Sequence, residues 1–437
     1  MSVTDFMNAL EHRVDDILSS CTSCGQCVEV CPMPEPAGID IGDSGAIAGG
    51  VLDILRGRPA PDVSERWALS CSNSGHCIAA CDDGVNPRFM LLMARSAIHR
   101  RNGDQTARRK GAGKFQEMSR GERVLSRLQL PPDVLAKVRP GHGEARETAA
   151  KPDIIFYTGC NIIKTPHIAL LCLDVLETLG VRYKIMGGPS HCCGIIQLRA
   201  GDVANAGRMG TRTVDTFADT GIGEVVSWCP TCNIQMGEFL LPTLESAGGE
   251  RPFETAMFAV FLARRLDRLK AHMVHPVRKR VALHEHTGTP GVNEAVRQIL
   301  SAIPGLEIVE LDEPPVGYMC NGLAGVKGYK KEVHRRQLDA AAAAGVTTFA
   351  GIYHACHRDL CGYEKDRPFE VVNFMELVGA ALGLCHADVF KRLKMLNDAD
   401  LAVAETADLI DAYGLDPDEV RAILIENAVA APPVPLS

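Results

Sequence analysis

The seventeen cysteines restrict what this chain can fold into more than any other feature of the sequence. Most of them fall into three groups and are not spread evenly over the 437 residues. The first residues carry several charges and lack the apolar stretch of a secretory signal, and the longest apolar runs are too short to cross a bilayer. We therefore expect a cytoplasmic protein without a membrane-spanning segment. In such a reducing compartment, grouped cysteines bind metals or carry out redox chemistry and seldom form disulfides.

The first group is one continuous run of four closely spaced cysteines. It reads Cys21-Thr-Ser-Cys24-Gly-Gln-Cys27-Val-Glu-Val-Cys31-Pro. This is the spacing of bacterial ferredoxins, in which three cysteines bind one cluster and the fourth binds another. A zinc ribbon normally uses two separated pairs instead. The run therefore predicts iron–sulfur clusters, of which at least one is a 4Fe-4S cluster.

The second group, Cys71, Cys77 and Cys81, has the same spacing except that Ser74 stands where the second cysteine belongs. With crossed ligation, four thiolates hold one 4Fe-4S cluster and only three hold the other cluster. The first set comprises Cys21, Cys24, Cys27 and Cys81, and the second set comprises Cys71, Cys77 and Cys31. Three thiolates favour a 3Fe-4S cluster, although a 4Fe-4S cluster that takes Ser74 or His76 as its fourth ligand stays open.

From residue 152 onward, short β-rich runs alternate with helical segments, which is typical of a mainly parallel α/β sheet. Six runs have this strand-like composition: 154–157, 181–186, 224–228, 281–283, 307–311 and 347–352. Cysteines follow several of these runs, at the end where open α/β sheets bind ligands. The C-terminal half also matches itself at an offset of 127 residues, which aligns Cys193 with Cys320 and Cys229 with Cys356. Two copies of one α/β unit explain this common offset.

The third group follows three of these runs and contains five cysteines. They occur as Cys160, as His191-Cys192-Cys193-Gly194 and as Trp228-Cys229-Pro-Thr-Cys232. A cubane cluster needs only four ligands, and two adjacent cysteines cannot easily reach separate corners of one cube. The pattern therefore indicates a distorted cluster in which at least one thiolate bridges irons. The alternative is a thioredoxin-type dithiol at Cys229 and Cys232, which leaves the other three cysteines unexplained.

These motifs and their order resemble a known family. The spacing of the third group is similar to the cysteine-rich CCG domain of heterodisulfide reductases, and a ferredoxin-like unit followed by two such domains resembles their fused, membrane-linked subunit. The resemblance implies that five cysteines bind a noncubane 4Fe-4S cluster at which a disulfide is cleaved, with Cys192 and Cys193 at the catalytic centre. The implied ligands are Cys160, Cys192, Cys193, Cys229 and Cys232. Related domains occur in iron–sulfur subunits of glycolate, lactate and glycerol-3-phosphate dehydrogenases.

The second copy departs from the family pattern. Its five equivalent positions are Thr287, Met319, Cys320, Cys356 and Asp359. Two thiolates are too few for a noncubane cluster, but several histidines lie nearby in the repeat register, namely His284, His286, His354 and His357. What fills this site is open, and one candidate is a mononuclear zinc or iron ion, because mixed nitrogen and sulfur ligands suit these metals. The predicted ligands are Cys320, Cys356, Asp359 and His286. The alternatives are a pocket filled by core packing and a substrate pocket beside the first cluster.

The predicted fold class is α+α/β, with a helical ferredoxin-like domain followed by two repeated α/β CCG domains. The predicted segments are a ferredoxin-like domain at 1–125, a linker at 126–152, CCG domains at 153–275 and 276–400, and C-terminal helices with a tail at 401–437. The basic stretch Arg100 to Lys114 reads as a solvated linker. A third functional hypothesis is a redox or iron sensor that binds a partner through this stretch.

The leading functional hypothesis is an electron-transfer subunit of a heterodisulfide reductase-like complex that carries out thiol and disulfide chemistry. No glycine-rich nucleotide or phosphate motif is present, so we expect a flavoprotein on another chain to split electron pairs, which makes the complex hetero-oligomeric. The alternative is an iron–sulfur conduit in a flavin-linked hydroxy-acid dehydrogenase, with no substrate site of its own. The net charge of -8 argues against nucleic acid as a partner.

Overall fold

The computed structural model describes residues 2–139 and 151–429 as a helical N-terminal unit followed by two α/β units. The α+α/β class predicted from the sequence is confirmed, and each α/β unit contains one parallel sheet of four strands. None of the helices in the described ranges is both long and apolar enough to pass through a lipid bilayer.

The N-terminal unit consists of helices connected by two similar cysteine loops. Its helices are α1 (Val3–Ser20), α2 (Gln26–Glu29), α3 (Ser44–Leu55), α4 (Asp62–Ser70), α5 (His76–Ala79), α6 (Pro87–Arg100), α7 (Asp104–Arg127) and α8 (Pro132–Val138). Each cysteine loop runs directly into a one-turn helix, α2 or α5. Ser23 and Asn73 occupy equivalent places in the two loops, and both have left-handed backbones with φ of 59° and 56°. The loop that contains Ser74 therefore has the same shape as the loop with the full set of cysteines.

The first α/β unit has a sheet in the order β2-β1-β3-β4. Its strands are β1 (Ile154–Gly159), β2 (Tyr183–Gly187), β3 (Glu224–Ser227) and β4 (Glu254–Met257). Its helices are α9 (Pro166–Thr178), α10 (Ile195–Ala200), α11 (Val203–Ala218), α12 (Pro230–Ile234), α13 (Leu241–Ser246), α14 (Phe258–Ala263) and α15 (Leu266–His272). A π-helical segment, Gln235–Leu240, joins α12 to α13.

The second α/β unit repeats this arrangement, with a sheet in the order β6-β5-β7-β8. Its strands are β5 (Arg280–His284), β6 (Glu307–Ile308), β7 (Thr348–Gly351) and β8 (Glu370–Asn373). Its helices are α16 (Val292–Ser301), α17 (Tyr329–Ala343), α18 (His354–Leu360) and α19 (Phe374–Leu382). Four further helices follow it: α20 (Val389–Leu396), α21 (Ala399–Glu405), α22 (Ala407–Tyr413) and α23 (Pro417–Leu424). The identical strand order confirms that the chain contains a repeat.

The three units share their hydrophobic cores. One cluster of buried side chains extends through both sheets and includes Phe156 and Phe349. A second cluster joins the N-terminal helices to the first sheet, where the rings of Phe6 and Phe239 lie 5.5 Å apart. Removing this much apolar surface from water fixes the units against one another.

Two segments that read as linkers contain helices. The basic stretch Arg100 to Lys114, predicted as a solvated linker, lies at the end of α6 and in α7, so it is helical, and most of its residues are exposed. In the segment predicted as a linker at 126–152, α7 ends and α8 follows, and Leu128 and Leu135 are buried. Residues 140–150 of that segment and the predicted tail at 430–437 lie outside the described residues. The domain limits stay a prediction.

Candidate functional site

The five cysteines of the third group meet at one edge of the first sheet. Cys160 follows β1, the pair Cys192 and Cys193 follows β2, and Cys229 and Cys232 follow β3. These strands are neighbours and run parallel, so their carboxyl ends open at the same edge. The thiols form a contact chain from Cys160 through Cys192, Cys193 and Cys232 to Cys229. All five are buried, with at most 8% of each residue exposed, and none is in a disulfide.

Glycines let the loops approach one another at this site. Gly159 has a φ of +67°, and a Cβ there would lie 3.0 Å from Cys229 Cβ and 3.2 Å from Cys232 Sγ. Gly194 has a φ of +80°, and its Cβ would lie 2.4 Å from the carbonyl oxygen of Ala206. Side chains at these positions would be strained and would push the loops apart. The two glycines therefore bring the sulfur atoms within reach of a single group.

The charge distribution of the five thiols favours a bound cation. The thiols of Cys160 and Cys193 hold the pKa of Cys192 well below its ordinary value, and hydrogen bonding with Cys232 lowers the pKa of Cys229 to about 7. Hydrogen bonding with Cys192 and burial raise the pKa of Cys160. Five buried thiols can be ionised together only when positive charge compensates them, and iron ions supply such charge. The residues present therefore fit an iron–sulfur cluster.

The N-terminal cysteines form two separate groups in space. Each group contains the last cysteine of the opposite run, Cys81 in one group and Cys31 in the other. Cys21, Cys24, Cys27 and Cys81 line one cavity. Burial and the neighbouring Cys21, Cys24 and Cys81 raise the pKa of Cys27 to about 12. In the other group, burial and the neighbouring Cys71 and Cys31 raise the pKa of Cys77. The structure thus brings together the residues of each predicted ligand set.

The position of the missing cysteine is occupied by a buried serine. Only 6% of Ser74 is exposed, and its carbonyl oxygen accepts a hydrogen bond of 3.1 Å from Thr287 Oγ1. Thr287 is the second-unit counterpart of Cys160, so the cluster loop of one unit packs against the site loop of another. His76, the other candidate for a fourth ligand, is exposed at the start of α5.

The second α/β unit contains a compact group of two histidines and two cysteines. His284, His286, Cys320 and Cys356 are all buried, and one potential ligand atom from each lies within 4.8 Å of the others. His284 Nε2 lies 3.1 Å from Cys320 Sγ, and His286 Nε2 lies 3.1 Å from Cys356 Sγ. Asp359, a predicted ligand, forms an ion pair of 3.0 Å with Lys330 Nζ. The structure therefore places His284 in the group with His286, whereas Asp359 belongs to an overlapping group with Cys320 and His334.

The other ring nitrogen of each histidine contacts an oxygen atom. His286 Nδ1 lies 2.7 Å from the carbonyl oxygen of Val316, and His284 Nδ1 contacts Gln337 Oε1. Because these oxygens only accept hydrogen bonds, each Nδ1 carries a proton, and each Nε2 is the nitrogen that faces the cysteines. Burial opposes ionisation of Cys356, yet hydrogen bonding with Cys320 and the nearby His286 hold the pKa of Cys356 well below its ordinary value. This tautomer and charge state suit a metal ion.

Long-range contacts join the sites of the three units. The backbone N–H of Tyr318 donates to the carbonyl oxygen of Ser72 at 3.2 Å, and Tyr318 Oη accepts hydrogen bonds from Thr231 Oγ1 and from Arg199, both at 3.1 Å. Trp228 Nε1 donates to His354 Nδ1 at 3.1 Å between the two α/β units. Sequence reasoning missed Arg199 and Tyr318, because nothing in the local pattern marks residues that meet across units.

Comparisons with known proteins agree with this architecture. Residues 154–237 and 283–360 match the CCG family model, which is described as a cysteine-rich domain. A dihydromethanophenazine:CoB–CoM heterodisulfide reductase subunit of Methanosarcina barkeri is 26% identical over 406 residues, which cover 84% of this chain and 94% of that protein. The corresponding heterodisulfide reductase subunit of Methanosarcina mazei is 25% identical over 401 residues, with the same coverage.

A relative from a different enzyme is also similar. A fumarate reductase (CoM/CoB) subunit of Methanothermobacter marburgensis is 25% identical over 388 residues, which cover 83% of this chain and 72% of that protein. The matched family segments contain all five positions of both cysteine-rich motifs. The chain is therefore a heterodisulfide reductase-like iron–sulfur oxidoreductase that contains two CCG cysteine-rich domains.

Proposed function

We propose that this chain is the iron–sulfur electron-transfer subunit of a cytoplasmic heterodisulfide reductase-like complex. Its ferredoxin-like N-terminal domain would hold a 4Fe-4S cluster and a 3Fe-4S cluster through the two crossed sets of cysteines. The first CCG site would hold a noncubane 4Fe-4S cluster through its five cysteines. A flavoprotein on another chain would supply the electrons. The relatives bear the names of subunits, which supports a hetero-oligomeric complex.

The observation that carries this proposal is the set of five buried, mutually contacting cysteines at the carboxyl edge of the first sheet. When bound there, a noncubane cluster would supply the single electrons that reduction of a disulfide needs. Cleavage of the disulfide consumes two electrons and two protons and yields two thiols. The role of Cys192 and Cys193 is to present adjacent sulfurs from one loop, while the closed loops around them exclude water.

A cavity beside the first CCG site supports the proposal that a substrate reaches this site. Its lining includes Thr231, which lies between two of the cysteines, and Ile195, which follows the Cys192-Cys193-Gly194 turn. The other polar residues of its wall are Asn73, Arg88, Arg199, Gln235, Glu238 and Tyr318. We propose that a disulfide reaches the cluster edge from this cavity.

The test is an anaerobic assay with a reduced viologen dye as electron donor and a panel of disulfides as acceptors. We expect the purified protein to oxidise the dye only when a disulfide is present and to release two thiols for every two electrons consumed. Free thiol is counted after removal of the protein. If no disulfide in the panel accelerates dye oxidation by protein with intact clusters, the disulfide reductase proposal fails.

The second candidate is an electron conduit of a flavin-linked hydroxy-acid dehydrogenase. The deep burial of all five cysteines and the presence of only two thiolates in the second CCG site favour it. A conduit would exchange electrons with a flavoprotein but would show no disulfide-dependent dye oxidation. The viologen assay therefore separates the two candidates.

We also propose a mononuclear zinc or iron ion in the second CCG site, with His284, His286, Cys320 and Cys356 as its ligands. Four ligands from two cysteines and two histidines are typical of a closed structural zinc site. The acceptors of the Nδ1 protons, Val316 and Gln337, resemble the outer partners that orient metal-binding imidazoles. Asp359 is left out of this set because of its ion pair with Lys330.

We expect His286→Gln to lose about one equivalent of mononuclear metal per chain while the acid-labile sulfide is unchanged, because the amide cannot replace the imidazole as a ligand. Elemental analysis of the anaerobic protein measures both quantities. His386→Gln is the matched control, since His386 pairs with Asp174 at 2.6 Å and lies outside this group. Equal metal content in His286→Gln and the control would contradict the assignment.

A further inference from the structure

A second group of metal-binding side chains lies between the two α/β units, away from every cysteine motif. His167 belongs to α9 of the first unit, whereas His357, Glu376 and Asp388 belong to the second unit. One potential ligand atom from each lies within 4.8 Å of the others. The group contains no cysteine, so it is chemically distinct from the cluster sites.

His167 is buried without a hydrogen-bond partner. Only 1% of the residue is exposed, and neither ring nitrogen makes a hydrogen bond within the described chain. Nδ1 lies 3.5 Å from Asp388 Oδ1, and Nε2 lies 3.6 Å from Glu376 Oε1, which is long for a hydrogen bond. His357 is fully buried, and its Nδ1 is unpartnered as well. Buried orphan nitrogens are rare and often mark an ion or water that belongs between them.

Backbone groups hold the two carboxylates in place. The N–H of Asn373 donates to Glu376 Oε1 at 2.7 Å, and the N–H of Lys391 donates to Asp388 Oδ1 at 2.9 Å. Asp388 Oδ2 also lies 2.6 Å from His357 Nε2. Such partners orient a carboxylate in the way that outer contacts orient metal ligands. The two carboxylates are partly buried and favour a compensating positive charge, which a divalent cation supplies.

We propose that His167, His357, Glu376 and Asp388 bind a divalent transition-metal ion that joins the two α/β units. Two imidazole nitrogens and two carboxylate oxygens suit zinc, and also iron or manganese. Because one ligand comes from α9 and three from the second unit, the ion crosslinks the first CCG domain to the second. The site is independent of the cluster assignments and of the His284 and His286 site.

The test uses the full chain, purified anaerobically with its clusters. We expect His167→Gln to lose about one equivalent of first-row metal per chain while acid-labile sulfide stays at the wild-type level, and Glu376→Gln to do the same. His386→Gln is the matched control, because His386 and Asp174 form another His–Asp pair between the same units but lie outside the group. The control is expected to keep its full metal content.

A spectroscopic measurement keeps the test decisive if His167→Gln does not fold. In His286→Gln, which lacks the sulfur-ligated ion, X-ray absorption of the remaining non-cluster metal should show nitrogen and oxygen neighbours at about 2.0–2.1 Å and no sulfur at about 2.3 Å. Two results overturn the proposal. One is equal metal content in wild type and a folded His167→Gln variant, and the other is the absence of any non-cluster metal with a nitrogen and oxygen shell.

Discussion

Cys193→Ser should remove the cluster of the first CCG site and leave the N-terminal clusters intact. Cys193 lies in the middle of the contact chain, touching both Cys192 and Cys232, so its loss separates the ligands on β2 from those on β3. We expect the protein to lose about four irons and about four sulfides per chain. Disulfide-dependent oxidation of viologen should fall by at least about 100-fold, because even outer-shell changes at metal sites cost 10–100-fold.

Cys172→Ser is the matched control for that variant. Cys172 is fully buried in α9 and belongs to none of the cysteine groups. Its replacement should leave iron, sulfide and dye oxidation at wild-type levels. Retention of all the iron by Cys193→Ser would show that this cysteine is not a ligand, and the five-cysteine assignment would then be wrong.

Ser74→Cys should add one iron per chain to the second N-terminal cluster. The loop around Ser74 has the same backbone as the loop around Cys24, with Asn73 and Ser23 in the same left-handed conformation. A cysteine at 74 therefore presents its sulfur as Cys24 does and completes a set of four thiolates. We expect a 3Fe-4S cluster to become a 4Fe-4S cluster, seen as about one extra iron per chain and the loss of the three-iron electron paramagnetic resonance signal of the oxidised protein.

Ser72, two residues before Ser74, provides the control for this experiment. Ser72 is also buried, with 1% exposed, but it stands outside the ligand spacing. Ser72→Cys should leave the iron content unchanged. If wild-type protein lacks a three-iron signal and Ser74→Cys gains no iron, the cluster already has four irons, and the 3Fe-4S assignment is wrong.

Six of the eight strands were predictable from the sequence, whereas β4 and β8 were not. All six predicted runs fall on strands β1, β2, β3, β5, β6 and β7. The remaining two, β4 and β8, are four residues long and stand at the sheet edges, and only Met257 of β4 is buried. Pairing with the neighbouring strand decides such short segments, so their own composition carries little signal.

Helix α7 shows how tertiary contact overrides composition. Its first half is basic and contains Gly111 and Gly113, which is typical of a linker. In the structure, a Cβ on Gly111 would lie only 3.4 Å from Gln197 Cα and 3.5 Å from Ala200 Cβ. Helix α7 therefore lies in direct contact with α10 at this position. The sequence alone does not reveal that partner.

The candidate sites also divide into those that the sequence predicts and those that depend on contacts between distant parts of the chain. Regular cysteine spacing within each loop predicted the N-terminal sets, and the order of the cysteines after successive strands predicted the first CCG motif. His284 replaced Asp359 in the second unit because β5 ends beside Cys320, which the repeat register does not specify. The group around His167 joins residues about 200 positions apart, and no local pattern links them.

The most direct test of the central claim is a count of iron and acid-labile sulfide in anaerobically purified protein, combined with a redox titration followed by electron paramagnetic resonance. We expect about eleven cluster irons per chain in three distinguishable centres: one three-iron, one cubane and one noncubane. The contradicting result is a count of only about seven cluster irons, with no centre beyond the two N-terminal ones. For this result to count, the five cysteines of the first CCG site must be in their reduced form.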